Sequence, residues 1–128
     1  MGRIIASVEI ANMLQPDKKL ICDALVDTGA ALMVLPSAWR ERLGDFLVAE
    51  EVDMESATQE TVRAVICGPV RLKIEAFRPI VTEVAFVDMV PDDGDYEPLL
   101  GYIPLEQCQA AVDMLGHRLV YVKALDLK

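Results

Sequence analysis

Hydrophobic and polar residues alternate along most of this chain, and the alternation predicts a protein made mainly of β-strands. A period of two residues is typical of a strand that buries one face and exposes the other. The pattern predicts strands over residues 4–11, 19–26, 32–35, 48–54, 61–66, 70–75, 80–87 and 118–123. The turn-forming residues Gln15-Pro16-Asp17-Lys18 separate the first two strands, so we expect these to pair as an antiparallel hairpin.

Two segments interrupt the alternation and predict short helices. The first runs from Ser37 to Leu43 and ends at Gly44, with Trp39 expected to pack on the core. The second is predicted to begin at Pro104 and to end at Gly116, because apolar residues recur there at spacings of three and four. Those apolar residues are Leu105, Cys108, Val112 and Leu115. His117 is then expected in a surface turn before the last strand.

The strands over 48–54 and 61–66 flank a small polar tip, Ser56-Ala57-Thr58-Gln59-Glu60. Two extended runs around such a tip predict a β-hairpin. The pattern leaves two interpretations equally open. The hairpin is either an ordinary connection or a flap that covers a cleft.

Length, composition and charge limit the class of protein. At 128 residues, of which 53% are hydrophobic, the chain can bury one core, and we expect a single domain over residues 1–128. The net charge of −9 argues against nucleic acid or an anionic membrane as a partner. The sequence has no stretch of membrane-spanning length and no secretory signal pattern at residues 1–14, so we expect a cytoplasmic protein.

The cysteines and acidic residues do not form a metal-binding pattern. Cys22, Cys67 and Cys108 are widely spaced in apolar surroundings, which favours buried free thiols over a zinc site. The loop Pro91-Asp92-Asp93-Gly94-Asp95 lacks the ligand pattern of a calcium loop. We therefore expect no metal and no cofactor. A nucleophilic pair of a cysteine with His117 stays open as an alternative.

An acid and a hydroxyl residue, Asp27 and Thr28, lie between two apolar runs. The stretch is Ala24-Leu25-Val26-Asp27-Thr28-Gly29-Ala30-Ala31-Leu32-Met33-Val34-Leu35-Pro36. A buried strand normally excludes an unpaired carboxylate, because its desolvation costs several kcal/mol. The small residues Gly29, Ala30 and Ala31 favour a sharp turn directly after Asp27. The apolar flanks are then expected to anchor that turn, so the Asp27 carboxylate is held at the base of a site.

Two motifs together resemble the retropepsin-like aspartic peptidases, the class of retroviral proteases and their bacterial relatives. The motifs are Val26-Asp27-Thr28-Gly29-Ala30 and Leu99-Leu100-Gly101, the latter followed by a helix. The order of the predicted elements agrees with this class over nearly the whole chain. The resemblance implies a closed β-barrel of the retropepsin-like acid-protease type, mainly β with one or two short helices.

The same resemblance implies roles for individual residues. Asp27 corresponds to the catalytic acid, Thr28 to a residue that hydrogen-bonds across a two-fold axis, and Gly29 to a residue that shapes the loop and contacts substrate. A polypeptide substrate is expected to contact Ala30 and the flap tip. That tip corresponds to Ala57, Thr58, Gln59 and Glu60.

The chain departs from the retroviral pattern at two places. Retroviral members usually have an acid directly after Asp-Thr-Gly-Ala and an arginine after the later glycine, and the two pair. Here the positions hold Ala31 and Tyr102, so both halves of the ion pair are absent together. The flap tip 56–60 also contains no glycine, whereas retroviral flaps are rich in glycine.

Aspartic peptidase chemistry needs two carboxylates that share one proton. The chain has one Asp-Thr-Gly motif, because Asp92-Asp93-Gly94 lacks both the hydroxyl and the apolar surroundings. The sequence therefore predicts an aspartic endopeptidase that acts as a homodimer, with Asp27 of each copy at the axis. The alternative is a retropepsin-like module that dimerises and binds peptides without cleaving them.

Overall fold

The chain folds into one large β-sheet and a separate two-stranded hairpin. The computed structural model describes residues 3–55 and 58–123. Its nine strands are β1 Ile5–Asn12, β2 Lys19–Val26, β3 Met33–Pro36, β4 Val48–Glu55, β5 Thr61–Ile74, β6 Ile80–Val87, β7 Leu99–Leu100, β8 Ala110–Asp113 and β9 Arg118–Tyr121. A 3₁₀-helix, Ser37–Leu43, follows β3, and an α-helix, α1 Tyr102–Gln107, follows β7.

The large sheet closes on itself. Its strands pair in the order β1-β2-β7-β3-β6-β5-β4, and β1 also pairs with β5. This last pairing joins a ring of six strands and leaves β4 outside it. The predicted fold class, mainly β with a closed sheet and short helices, is confirmed.

The alternation in the sequence corresponds to the two faces of the ring. Val8 and Ile10 on β1 are buried, and so are Leu72 and Ile74 on β5, which pairs with β1. Burying apolar area of this kind contributes about 25 cal/mol per Å². The interior of the ring is therefore the hydrophobic core that the pattern predicted.

β5 is longer than predicted. Residues 61–66 and 70–75 were expected to form two strands, but one strand covers Thr61–Ile74, with a shift in its pairing to β6 between Cys67 and Val70. A bulge of this kind bends a strand without ending it. The part before the shift pairs with β4, and the part after it pairs with β1. A single strand thus belongs both to the closed ring and to the hairpin outside it.

The prediction of a helix from Pro104 to Gly116 was wrong. α1 begins at Tyr102 and ends at Gln107, and Gln109 then takes a left-handed backbone with φ of 62°. Residues 110–121 form the β8–β9 hairpin instead, with Leu115 almost fully exposed in its turn. The three- and four-residue apolar spacing was fortuitous, because the chain reverses direction within it. His117 lies in the turn, as predicted.

The first predicted helix is confirmed as a 3₁₀-helix that ends at Gly44. Trp39 packs against the core from this helix, with its ring edge-on to Tyr96 at a centroid distance of 6.0 Å. The buried Asn12 side chain fixes the end of the helix to β1. Its Nδ2 donates hydrogen bonds to the carbonyls of Leu43 and Asp45, each at 2.7 Å.

Candidate active site

Asp27 lies directly after β2, at the point where the chain leaves the sheet. Its backbone N–H donates to the Leu100 carbonyl at 3.0 Å, and its own carbonyl accepts from Ala30 N–H at 3.1 Å. The Gly29 N–H donates to the Asp27 carboxylate oxygen Oδ1 at 3.0 Å. The side chain is half-buried, so one face of the carboxylate is held by the loop and the other stays accessible.

Gly29 suits this loop because its Cα lies close to the Asp27 carboxylate. It lies in the turn expected directly after Asp27, without a positive φ. A Cβ at residue 29 would lie 3.2 Å from Asp27 Oδ1, close to the path of the hydrogen bond from the amide of the same residue. Thr28 and Gly29 are both exposed on the surface of the loop.

The second motif, Leu99-Leu100-Gly101, contacts the loop that follows Asp27. β7 lies between β2 and β3, parallel to β2 and antiparallel to β3. The Gly101 N–H donates to the Leu32 carbonyl at 3.1 Å. A Cβ on Gly101 would lie 2.5 Å from that carbonyl oxygen and 2.6 Å from the Ala30 oxygen, so no other residue fits there without moving the backbone. The two motifs of the sequence are thus in direct contact.

Backbone groups occupy the place where the retroviral pattern has an ion pair. The Tyr102 N–H donates to the Ala30 carbonyl at 2.9 Å, and the Ile103 N–H donates to the Ala31 carbonyl at 3.0 Å. These donors belong to the first turn of α1, whose N–H groups have no partner within the helix. The loop after Asp27 therefore satisfies the start of α1 and is fixed by it.

A cavity of about 670 Å³ opens beside Asp27. Its floor is the loop, its walls come from β3, β6 and β7, and its roof comes from the β4–β5 hairpin. The lining residues are Asp27, Gly29, Ala30, Ala31, Val34, Met54, Glu55, Val62, Val87 and Leu99. The lining is mainly apolar, and it brings together the predicted site residues Asp27, Gly29 and Ala30. A volume of this size is typical of ligand sites.

The β4–β5 hairpin covers this cavity, so of the two interpretations left open by the sequence the structure favours the flap. Met54 and Val62 are paired directly across the hairpin and form its underside. The opposite face is charged, and Arg63 there pairs with Asp53 at 3.0 Å and with Glu51 at 3.3 Å. The flap therefore lines the cleft with Met54, Val62 and one acidic residue, Glu55, and carries the Arg63 ion pairs on its solvated face.

Of the predicted flap-tip contacts, the described residues Thr58, Gln59 and Glu60 are not among the cavity lining. Ala57 lies outside the described residues, so its predicted role stays a prediction. Thr58, Gln59 and Glu60 are exposed, and Gln59 takes a positive φ of 65°. Sequence reasoning missed Met54 and Val62 instead. Val62 lies two residues before the buried Ala64 on the same strand face, and that spacing was the available signal.

The cysteines are poorly suited to nucleophilic chemistry. Burial raises the pKa of the Cys22 thiol to about 11, and the neighbouring Asp23 carboxylate acts in the same direction. Burial also raises the pKa of Cys67 and of Cys108, both within the core. The reactive form of cysteine is the thiolate, which a raised pKa disfavours. With His117 in the exposed turn of the β8–β9 hairpin, the structure argues against the cysteine–histidine alternative.

Within residues 3–55 and 58–123, no group of three or more His, Cys, Asp or Glu side chains is placed to hold a metal ion. No helix within the same ranges is long and apolar enough to cross a membrane.

The closed sheet, the Asp27 loop and the covering flap define a retropepsin-like acid-protease fold. Solved structures that are similar to this chain include the following two. The EIAV protease in complex with the inhibitor HBY-793 superposes with a TM-score of 0.64 at 22% identity, over 88% of this chain and 94% of that one. The retroviral protease-like domain of Ddi1 from Leishmania major superposes with a TM-score of 0.56 at 18% identity, over 94% and 90%. No family model and no curated protein matches the sequence.

Proposed function

We propose that two copies of this chain form an aspartic endopeptidase, with Asp27 of each copy facing the other across a two-fold axis. The observation that carries the proposal is the position of Asp27. Its carboxylate lies on a loop fixed by backbone hydrogen bonds, at the floor of an apolar cavity beneath a β-hairpin. The fold shared with a retroviral protease supports the same conclusion.

The dimer follows from the chemistry. One carboxylate takes a proton from water as the water oxygen attacks the peptide carbonyl carbon, while a protonated carboxyl donates to the carbonyl oxygen. The proton then passes to the leaving nitrogen as the C–N bond breaks, without a covalent intermediate. One chain supplies one such loop, because Asp92 and Asp93 lie exposed in a separate turn. An isologous dimer supplies the second.

The shape of the cavity favours an extended polypeptide as substrate. A peptide that lies between the Asp27 loop and the flap can pair with backbone groups as an added strand. Val34, Met54 and Leu99 would then contact its side chains. We expect cleavage between hydrophobic residues, and cleavage confined to charged sites in a peptide library would contradict this assignment.

The decisive experiment compares wild-type protein with Asp27→Asn on an unfolded protein substrate. The amide has nearly the shape of the carboxylate but cannot share the proton, so hydrolysis should fall by at least 10²-fold while the fold and dimer remain. Asp23→Asn is the matched control, because Asp23 is exposed on β2, four residues before Asp27. Cleavage by Asp27→Asn at the wild-type rate would end the proposal.

The pH dependence of the rate provides a second readout in the same assay. Catalysis needs one carboxyl protonated and its twin ionised, so the rate should rise and then fall with pH. A rate that does not decline on either side of an optimum would contradict a shared proton.

The composition of the flap favours a second candidate, a dimeric module that binds peptides without hydrolysing them. The tip contains no glycine, and Gln59 adopts a left-handed backbone that glycine adopts more readily. A tip constrained in this way would hold a peptide without closing fully over it. Saturable peptide binding by wild type, with no cleavage at any pH, would select this candidate.

A further inference from the structure

Among the described residues, Glu55 on the flap is the one charged residue other than Asp27 that lines the cavity. The remaining lining residues are glycine, alanine, valine, leucine and methionine. Glu55 is the last residue of β4 and is paired with Thr61 across the hairpin. Ligand sites of this kind are mainly apolar, and a few polar groups fix what binds there. Glu55 is therefore placed to select a ligand by charge.

Glu55 lies where the cavity passes the free edge of the flap. Consecutive residues of a strand point to opposite faces, yet Met54 and Glu55 both line the cavity. A cavity reaches both faces only where it extends past the edge of the strand. Within residues 3–55 and 58–123, β4 pairs with β5 alone, so its other edge is open. The cavity therefore continues from the apolar underside of the flap to the carboxylate at its edge.

The Glu55 carboxylate has no cation beside it to balance its charge. Arg63 is the only lysine or arginine between residues 48 and 68, and it pairs with Glu51 and Asp53. None of the ion pairs in the described part of the chain includes Glu55. Its charge is therefore available to a cation that a ligand brings.

The surroundings of Glu55 strengthen the attraction for a basic side chain. Asp27 adds negative charge to the same cavity, and the whole chain carries a net charge of −9. Apolar walls of low dielectric focus the field of such charges and raise the local concentration of cations. The long side chains of lysine and arginine also bury their aliphatic stems on apolar surface while the charged end stays polar. Met54 and Val62 provide that surface next to Glu55.

We propose that Glu55 determines part of the substrate specificity, by binding the charged end of a lysine or arginine side chain in the peptide. The inference rests on the proposed function, because it concerns the polypeptide that the Asp27 cavity takes. It adds a substrate class, an apolar segment with a basic residue close to the cleaved bond but not at it. The apolar lining around Asp27 would hold the residues at the bond itself.

The test uses fluorescent peptides that share one apolar core of phenylalanine, leucine and valine. One position at a time outside the central pair is arginine, glutamine or glutamate. Binding is measured by fluorescence anisotropy with Asp27→Asn protein, which by the proposed mechanism cannot cleave the peptides, and kcat/KM is measured with wild type. We expect arginine at one position to be favoured over glutamine at least fivefold in both measurements. Added salt should reduce this preference, because ions screen the attraction.

Two substitutions of Glu55 and one control identify the residue responsible, each made with and without Asp27→Asn. Glu55→Gln removes the charge and keeps the shape, so the preference for arginine over glutamine should fall below twofold. Glu55→Lys reverses the charge, so glutamate should become the favoured residue at the same position. Glu50→Gln is the matched control, because Glu50 is exposed on the same strand but does not line the cavity. It changes the net charge equally and should leave the preference within twofold of the wild-type value.

The outcomes separate this inference from the proposed function. An arginine preference that Glu55→Gln leaves intact, or no preference for arginine at any position, would overturn the inference even if the peptides are cleaved. An equal loss in Glu50→Gln would also overturn it, because the cause would then be the net charge of the chain. A preference in binding that depends on Glu55, with no cleavage by wild type, would support the subsite and reject the peptidase.

Discussion

The contact between the two motifs predicts that one added methyl group, in Gly101→Ala, lowers the free energy of unfolding by an unusually large amount. Gly101→Ala places a Cβ 2.5 Å from the Leu32 oxygen and 2.6 Å from both the Ala30 oxygen and the Ala31 carbonyl carbon. Relief of these contacts requires the 30–32 segment to move away by about 1 Å, since nonbonded carbon contacts are comfortable near 3.5 Å. All the atoms involved belong to the backbone, so a rotamer change cannot relieve the contacts.

The magnitude follows from what that movement disrupts. Overpacking of this kind costs ~1–3 kcal/mol. The displacement also stretches the hydrogen bonds that Gly101, Tyr102 and Ile103 donate to residues 30–32, each with a net contribution of ~0.5–1.5 kcal/mol. We expect Gly101→Ala to lower the free energy of unfolding by ~3–5 kcal/mol. If the chain is the peptidase proposed above, the same substitution should abolish its activity, because the same segment carries the Asp27 loop.

Backbone preference alone predicts that Gly101→Ala does not lower the free energy of unfolding. Gly101 has φ of −83°, a conformation open to any residue, so replacement by alanine would be neutral or would stabilise the protein by ~0.4–1 kcal/mol. Gly94→Ala is the matched control. Its Cβ meets nothing within 4 Å, but its φ of +82° imposes a strain of ~1–2 kcal/mol.

Urea unfolding of both variants is measured at one protomer concentration, because the proposed dimerisation would make stability depend on concentration. Gly101→Ala should be the less stable by at least ~1 kcal/mol. A Gly101→Ala protein as stable as wild type, with Gly94→Ala clearly weaker, would refute the steric argument and leave only backbone strain.

Two further predictions follow from the site and the β8–β9 hairpin. In the proposed dimer, Thr28→Val should weaken both dimerisation and activity, since an unsatisfied partner at the axis would cost ~1–3 kcal/mol. Thr61→Val on the flap is the control, and unchanged dimer affinity would remove Thr28 from that role. The Gly116 N–H and then the Arg118 side chain lower the pKa of Asp113. The turn of the β8–β9 hairpin should therefore persist down to the ordinary aspartate range near pH ~3.9 and open only as the pH falls through the lower folded value. The Gly116 amide shift in NMR should follow this titration, and a midpoint at or above the ordinary value would contradict it.

The sequence predicted the parts of the fold in which local pattern and tertiary burial agree. β2 and β6 have the predicted bounds, because their alternating residues face the core and their ends coincide with turn or breaker residues. β5 was divided in two, because its continuity depends on pairing with three different strands. The segment after Pro104 was assigned to the wrong structure, because the left-handed backbone of Gln109 leaves no trace in composition.

In the candidate site, too, the sequence predicted the local motifs but not the features that depend on tertiary contacts. The motifs around Asp27 and Leu99-Leu100-Gly101 were identified because each is a compact sequence pattern, and the structure places them in contact. The underside of the flap was missed, because which hairpin face turns inward depends on the ring below it. Met54 and Val62 can be identified as cleft-facing residues once Ala64 is known to be buried.

The bonds that hold the Asp27 loop have a consequence for synthesis of the chain. Residues 98–103 supply the partners for residues 25, 27 and 30–32, so the loop depends on segments about seventy positions later in the sequence. Contacts so far apart form late, because the intervening chain must be ordered first. A nascent chain that has not yet released residue 103 from the ribosome therefore holds its acid on an unsupported loop. In the peptidase proposed above, catalytic competence would therefore be postponed until most of the polypeptide has emerged.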